Sequence, residues 1–284
     1  MTKIVRIWLY GSRPYIAVHY LVPVAFGVFL ASKIFDKPIN YFHGILIGLS
    51  IFFSFQTSII LNDLNDVKAD KLAKRRTPLN SDDISIKQYT SLAVFFFVIS
   101  IVLALIISYR VFLIVLLGNM LHFSYSSPPL RLKRYYPLSI CLLAFGALLA
   151  AIAGYALYDQ AKPFISFPLR TALFIMIPLF LAMNFRDLAD YEGDRMTDAR
   201  TLFTILGMEK GRIVNAILML LSYLSVPVIL QYPVLLTAAL PLGLASMYFC
   251  FEKPFKERYI FYVYFAFILI LMILFYLKPE IIIK

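Results

Sequence analysis

The chain has 284 residues, of which 61% are hydrophobic and 15% charged, with a mean hydropathy of +0.81 and a formal net charge of +11. Apolar runs of about 18 or more residues recur along it, which excludes an ordinary soluble domain and points to a polytopic helical membrane protein, while their continuous rather than alternating pattern excludes a β-barrel. The positive charge reads as a positive-inside bias and not as nucleic-acid binding, and the two cysteines, Cys141 and Cys250, lie in apolar runs and imply no disulfide framework.

In chain order, Lys3 to Pro14 sets Ile4, Ile7, Trp8 and Leu9 among Arg6 and Arg13, the pattern of a short interfacial helix. The first apolar run is long enough to span, so it is expected to be a retained anchor and not a signal peptide. Nine spans are predicted, roughly at 15–35, 42–62, 88–108, 110–125, 138–158, 168–187, 212–231, 233–251 and 258–277. The fold class expected is therefore all-α, a single membrane domain over residues 1–284. With nine spans, the N-terminus and the loops after the even-numbered spans share one side. That side holds 20 of the 27 Lys and Arg residues, which assigns it to the cytoplasm and the C-terminus to the outside. The informative loops cover about residues 62–87, 125–137 and 187–211, all on the cytoplasmic side.

Eight of the 16 acidic residues, Asp63, Asp66, Asp70, Asp187, Asp190, Glu192, Asp194 and Asp198, fall in two short patches, 62–70 and 187–198, within these loops. Asn62, Asp66 and Asp70 stand at i, i+4 and i+8, and so do Asp190, Asp194 and Asp198, with Asp187 one turn earlier. On a helix each set forms one stripe. Like charges at this spacing repel, more strongly where water is scarce, unless something positive sits against them. Carboxylate and amide oxygens without a nearby His or Cys suit Mg²⁺, which completes its shell with water and substrate phosphates. Lys68, Arg75, Arg76, Arg195 and Arg200 flank the stripes, so carboxylates for a metal and cations for phosphate oxygens stand together, as in a metal–diphosphate site. Ordinary interfacial residues at span ends would explain one stripe but not two on one face. In the third loop, Tyr125, Ser126 and Lys133 are candidate donors to a diphosphate, although alone the segment reads as a proline-terminated helix with a basic cluster. His122 reads as a packed polar residue, and His19 and His43 have no partner at ligand spacing. A short internal repeat supports the pairing of the stripes. Asp66-x3-Asp70 is followed by Arg76-Thr77, and Asp194-x3-Asp198 by Arg200-Thr201, as if two copies of one unit faced each other across a cavity.

At these residues the chain resembles the UbiA superfamily of intramembrane prenyltransferases. Asn62-Asp63-x2-Asp66-x3-Asp70 matches that family's first Asp-rich motif. Asp187-x2-Asp190-x-Glu192-Gly193-Asp194, with Arg200-Thr201-Leu202 and Gly207, is similar to its second. Tyr125-Ser126-x-Pro128-Pro129-x3-Lys133 is similar to its loop after the fourth helix. The resemblance implies nine helices around a central cavity and transfer of an isoprenyl group from its diphosphate to a lipophilic acceptor. It implies two Mg²⁺ ions, one held by Asn62, Asp66 and Asp70 and the other by Asp190 and Asp194. It implies diphosphate binding by Tyr125, Ser126 and Lys133, with Arg75 or Arg76, and places Asp187 to orient the acceptor or take its proton. The expected catalytic set is then Asp66, Asp187, Asp190 and Asp194. Two departures stand out. Lys74-Arg75-Arg76-Thr77-Pro78-Leu79 replaces a Pro-x-Arg-Pro run, and Asp198 replaces a glycine and reads as a solvated loop residue. An aromatic, quinone-precursor ring is the expected acceptor, with a glycerol-ether phosphate as the alternative. An ion-coupled carrier is the rival from another class, weakened because these carboxylates lie at one membrane edge and not at midplane. Against a CDP-alcohol type of phosphotransferase, Asp198-Ala199-Arg200 has the wrong surroundings.

Overall fold

The structure, a computed structural model, describes residues 14–72, 77–80, 84–159, 161–197 and 199–283, with the side chains of 14–16, 68, 69 and 72 set aside. The interfacial helix expected at residues 3–13 lies outside the described residues. Those described are helical, with no strand beyond an isolated bridge between Tyr135 and Arg200.

The helices are α1 (Pro14–Ile34), α2 (Tyr41–Leu72), α3 (Ile86–Ile107), α4 (Tyr109–Ser126), α5 (Leu138–Tyr155), α6 (Pro163–Ser166), α7 (Leu169–Ala182), α8 (Phe185–Met196), α9 (Leu202–Leu206), α10 (Met208–Ile229), α11 (Leu236–Phe249), α12 (Glu257–Leu277) and α13 (Glu280–Ile283). Six of them are long and apolar enough to cross a membrane, or seven if α7 and α8, bent by 46° at their junction, are one broken span. This makes the chain an integral membrane protein. A helix lies at each of the nine expected positions, but three fall short of the test for a simple span. α4 carries Arg110, Asn119 and His122 within its 18 residues, α11 has only 14, and α7 breaks at Met183 and Asn184.

Local signals account for several boundaries. Ser85 caps α3 in a capping box with Gln88. Ser108 ends α3 and caps α4, its hydroxyl accepting from Val111 N at 3.2 Å, which explains the tight turn between them. Gly207, at φ 80°, allows α9 to stop and α10 to start without a break in sequence.

The chain divides into two compact units. The first comprises residues 1–133 and 146–166, and the second residues 134–145 and 167–284. In the first, α2 packs against α1, α3 and α4. At 32 residues α2 is about 48 Å long, more than a bilayer core of about 30 Å, so its final turns can carry polar residues beyond that core. Leu79 folds back into a cluster with Ile60, Tyr89, Ala93 and Phe96. α1 and the second half of α5 approach at two glycines. A Cβ on Gly27 would lie 1.9 Å from Ala151 O, and one on Gly154 would lie 2.3 Å from Val24 O. Small residues permit such crossings in membranes. Gly27→Ala or Gly154→Ala is expected to cost about 1–3 kcal/mol by overpacking, seen as a melting temperature several degrees lower in detergent. An unchanged melting curve would contradict the close crossing.

In the second unit α10 is central, packing against α7, α9 and α11, and α12 packs against α11. α8 is held to α9 through Leu188, Leu202 and Phe203, with Tyr136 and Tyr191 closing over that cluster.

Candidate active site

The first acidic motif occupies the last turns of α2, and its side chains divide between two faces. Asp63 is buried and accepts a hydrogen bond from the Tyr89 hydroxyl at 3.0 Å, so it serves the α2–α3 contact. Asn62 and Asp66 turn instead toward the loop that follows α4. There Lys133 Nζ donates to Asn62 Oδ1 at 2.8 Å and forms an ion pair with Asp66 Oδ2. Arg131 Nη2 donates to Asp66 Oδ1 at 2.7 Å and to Asn65 O at 3.2 Å. Ser126 Oγ donates to Asn62 Oδ1 at 3.3 Å, and Asn65 Nδ2 to Ser127 Oγ at 3.0 Å. Asp70 is buried one turn beyond and acts on Lys133 electrostatically. Burial pushes the Lys133 ammonium below its usual range, against the pull of the Asp66 carboxylate.

This arrangement brings together Asn62, Asp66, Ser126 and Lys133, which the sequence assigns to one site, with Asp70 next to them. Tyr125 sits half-buried on the same last turn of α4. Arg131 is the residue the sequence reading passed over. It lies two positions before Lys133 in a cluster explained by charge bias alone, and only the fold shows that its guanidinium reaches α2. Arg75, Arg76 and the side chain of Lys68 lie outside the described residues. Thr77, part of the repeat, and Leu79 act structurally: Thr77 Oγ1 accepts from Asn80 N at 3.3 Å, and Leu79 plugs the core.

Among the described residues, no three His, Cys, Asp or Glu side chains gather as a ready-made metal shell. A Mg²⁺ site does not need one, because a few protein oxygens with water and substrate phosphates suffice. Asn62 Oδ1 and Asp66 Oδ2 converge on a single positive atom, Lys133 Nζ, so the donor set is hard and already turned toward a cation. In that sense the residues fit a hard divalent ion.

The second motif lies on α8. Asp187, Asp190 and Asp194 stand at i, i+3 and i+7, all partly buried on one face, whereas Glu192 and Arg195 are exposed. Asp187 lies within electrostatic reach of Arg186, Asp190 and Asp194. Burial and the Asp187 carboxylate both push the Tyr136 phenol above its usual range, so Tyr136 faces this motif, another residue the sequence reading did not single out. Asn184, at the bend before α8, is buried. Its amide nitrogen donates to Phe180 O and Leu181 O, and its Oδ1 has no partner among the described residues. After α8, Ala199 N donates to Asp194 O at 3.1 Å, and Thr201 caps α9 in a capping box with Thr204. Arg200 pairs through its backbone with Arg134 and Tyr136 while its side chain is exposed. The Thr201-Leu202 half of the repeat is thus a cap and a core contact. Asp198 lies outside the described residues.

A family model described as the UbiA prenyltransferase family matches residues 20–271. Over 212 residues the chain is 30% identical to homogentisate phytyltransferase 1 of Arabidopsis thaliana, covering 70% of this chain and 53% of that protein. It is 24% identical to the digeranylgeranylglyceryl phosphate synthase of Saccharolobus solfataricus, covering 74% of each. The chain therefore spans about half the length of the plant relative and three quarters of the archaeal one. A structure of a UbiA homolog from Archaeoglobus fulgidus, bound to GPP and Mg²⁺, superimposes with a TM-score of 0.70 at 20% identity over 99% of both chains, a likeness of fold.

Proposed function

The chain belongs to the UbiA prenyltransferase family, and from that premise we propose that it transfers an isoprenyl group from its diphosphate to a lipophilic acceptor, with Mg²⁺, releasing diphosphate. The observation that carries this reading is the meeting of an acidic helix end with a basic loop: Asn62 and Asp66 on α2 against Ser126, Arg131 and Lys133. One set suits a divalent cation and the other suits phosphate oxygens. Family membership sets aside the ion-coupled carrier.

In this reading, Asn62, Asp66 and Asp70 hold one Mg²⁺, and Asp190 and Asp194 hold a second. Bound there, Mg²⁺ supplies positive charge that offsets the charge growing on the leaving diphosphate. Lys133, Ser126 and Tyr125, with Lys68 and Arg75 or Arg76, donate to the phosphate oxygens. As the allylic C–O bond breaks, these donors stabilise the departing anion. The acceptor attacks C1, and Asp187 orients it or takes the proton it loses. A closed apolar cavity around the isoprenyl group would keep water from the allylic cation. The motif loops and the N-terminus lie on the cytoplasmic face, with α4, α11 and the bent pair α7–α8 crossing the membrane beside the six plain spans.

We take the acceptor to be an aromatic ring of the quinone-precursor type, since the plant relative is named for homogentisate. A glycerol-ether phosphate is the second reading, favoured by the archaeal relatives. The deciding experiment is transfer in detergent from labelled geranylgeranyl diphosphate, with and without Mg²⁺, to a panel of aromatic acids and a prenylated glycerol phosphate. Mg²⁺-dependent product with aromatic acids is expected. Product with the glycerol phosphate alone would replace the aromatic reading, and no product with any acceptor, with no Mg²⁺-dependent diphosphate binding, would refute transfer.

A further inference from the structure

We propose that Arg131 and Lys133 are placeholder cations for the first acidic stripe, so that the stripe takes its metal only when a diphosphate draws both cations away. The inference rests on the functional reading above. The donor atoms of Asn62 and Asp66 are already engaged: Asp66 Oδ1 by Arg131 Nη2, Asp66 Oδ2 by Lys133 Nζ, and Asn62 Oδ1 by both Lys133 Nζ and Ser126 Oγ. Two full positive charges thus share one carboxylate, and these groups are largely shielded from water, with side-chain exposures of 22% for Arg131, 17% for Lys133 and 16% for Asp66. A divalent cation entering this group alone meets occupied ligands and like charge at short range.

A diphosphate changes that balance. It offers several negative oxygens, and charge-assisted hydrogen bonds to guanidinium and ammonium groups are strong. The loop can answer it. Arg131 Nε is buried and has no hydrogen-bond partner among the described residues, leaving a donor to spare. Arg131 also sits at φ 41°, a backbone conformation uncommon for a residue other than glycine. Once the two cations turn to phosphate oxygens, Asn62 and Asp66 are released to a metal. Metal and diphosphate then each raise the other's affinity, as linkage requires. In this account Arg131 holds Asp66 before the diphosphate arrives and donates to the diphosphate afterwards.

The test is direct metal binding to the full chain in detergent, with Mn²⁺ as the probe and the free ion followed by electron paramagnetic resonance. Wild type is expected to bind Mn²⁺ alone weakly. Arg131→Gln and Lys133→Met are each expected to bind it at least about tenfold tighter, about 1.4 kcal/mol. Lys133→Arg is expected to restore the weak binding. With saturating geranyl S-thiolodiphosphate, read against a ligand-only blank, wild type is expected to gain Mn²⁺ affinity and the two neutral variants to gain much less. A substitution that only damaged the loop would weaken Mn²⁺ binding, so tightening separates the proposal from a structural role. Neutral variants that bind Mn²⁺ alone no tighter than wild type overturn it. If wild type binds no Mn²⁺ even with the thiolodiphosphate, the metal–diphosphate reading itself fails.

Discussion

Asp66→Asn is expected to leave a folded protein whose rate of isoprenyl transfer has fallen about a thousand-fold or more. On Asp66 the basic loop converges, with Arg131 on one oxygen and Lys133 on the other. Asparagine keeps the shape and one acceptor oxygen but removes the charge that a divalent ion needs. Removing one preorganised group that faces developing charge costs about a hundred- to a thousand-fold in other enzymes, and loss of a metal ligand should sit at the upper end. The change also leaves two cations facing a neutral amide, a cost that rises with burial. The melting temperature should therefore be read beside the initial rate. A variant that melts as wild type does and keeps more than a tenth of the rate would remove Asp66 from the metal set. Asp63, spent on the Tyr89 hydroxyl, offers the contrast, since Tyr89→Phe touches the same patch without touching the stripe.

Asp190→Asn and Asp194→Asn are each expected to cause a loss of similar size, whereas Glu192→Gln costs less than about threefold. The argument is one of helical face. Asp187, Asp190 and Asp194 share a partly buried side of α8, and Glu192, between them in sequence, is exposed. If a second ion is held on α8, the carboxylates of that side must supply its oxygens, and Asp190 and Asp194 are the two assigned to it. Initial rates for the three variants, each checked for folding by size exclusion and melting, decide the matter. Equal losses for Glu192→Gln and Asp190→Asn would mean that the face has been misassigned.

Much of this organisation was legible in the amino-acid sequence because it depends on short-range periodicity. The apolar runs marked the helices, and the spacing of Asn62, Asp66 and Asp70 marked a single face, since the 3.6-residue period is a property of the backbone. The choice of Lys133 over Arg131 and Arg134 came instead from the resemblance of Tyr125-Ser126-x-Pro128-Pro129-x3-Lys133 to the family's loop. The repeat misled in part. The Arg-Thr segments that follow both stripes look like functional echoes, yet Thr77 closes a turn and Thr201 caps α9. A small hydroxyl residue near a turn has the same sequence signature whether it binds a ligand or an orphan backbone N–H.

What the sequence by itself determined is the class of molecule, the places of the nine main apolar helices, and the two carboxylate stripes with their preference for a hard cation. These follow from composition and from spacings of four or fewer residues. Only the tertiary structure decided that Asp63 meets the Tyr89 hydroxyl, that Arg131 reaches Asp66 across 65 positions of sequence, and that the helices at three of the nine expected spans are too polar, too short or too bent to be plain spans. The physical reason is the same in each case. Which donor meets a carboxylate, and which helix end is shielded, depends on how α2, α3 and α4 pack. That packing is set by many weak contacts between distant residues, none of which leaves a period in the chain.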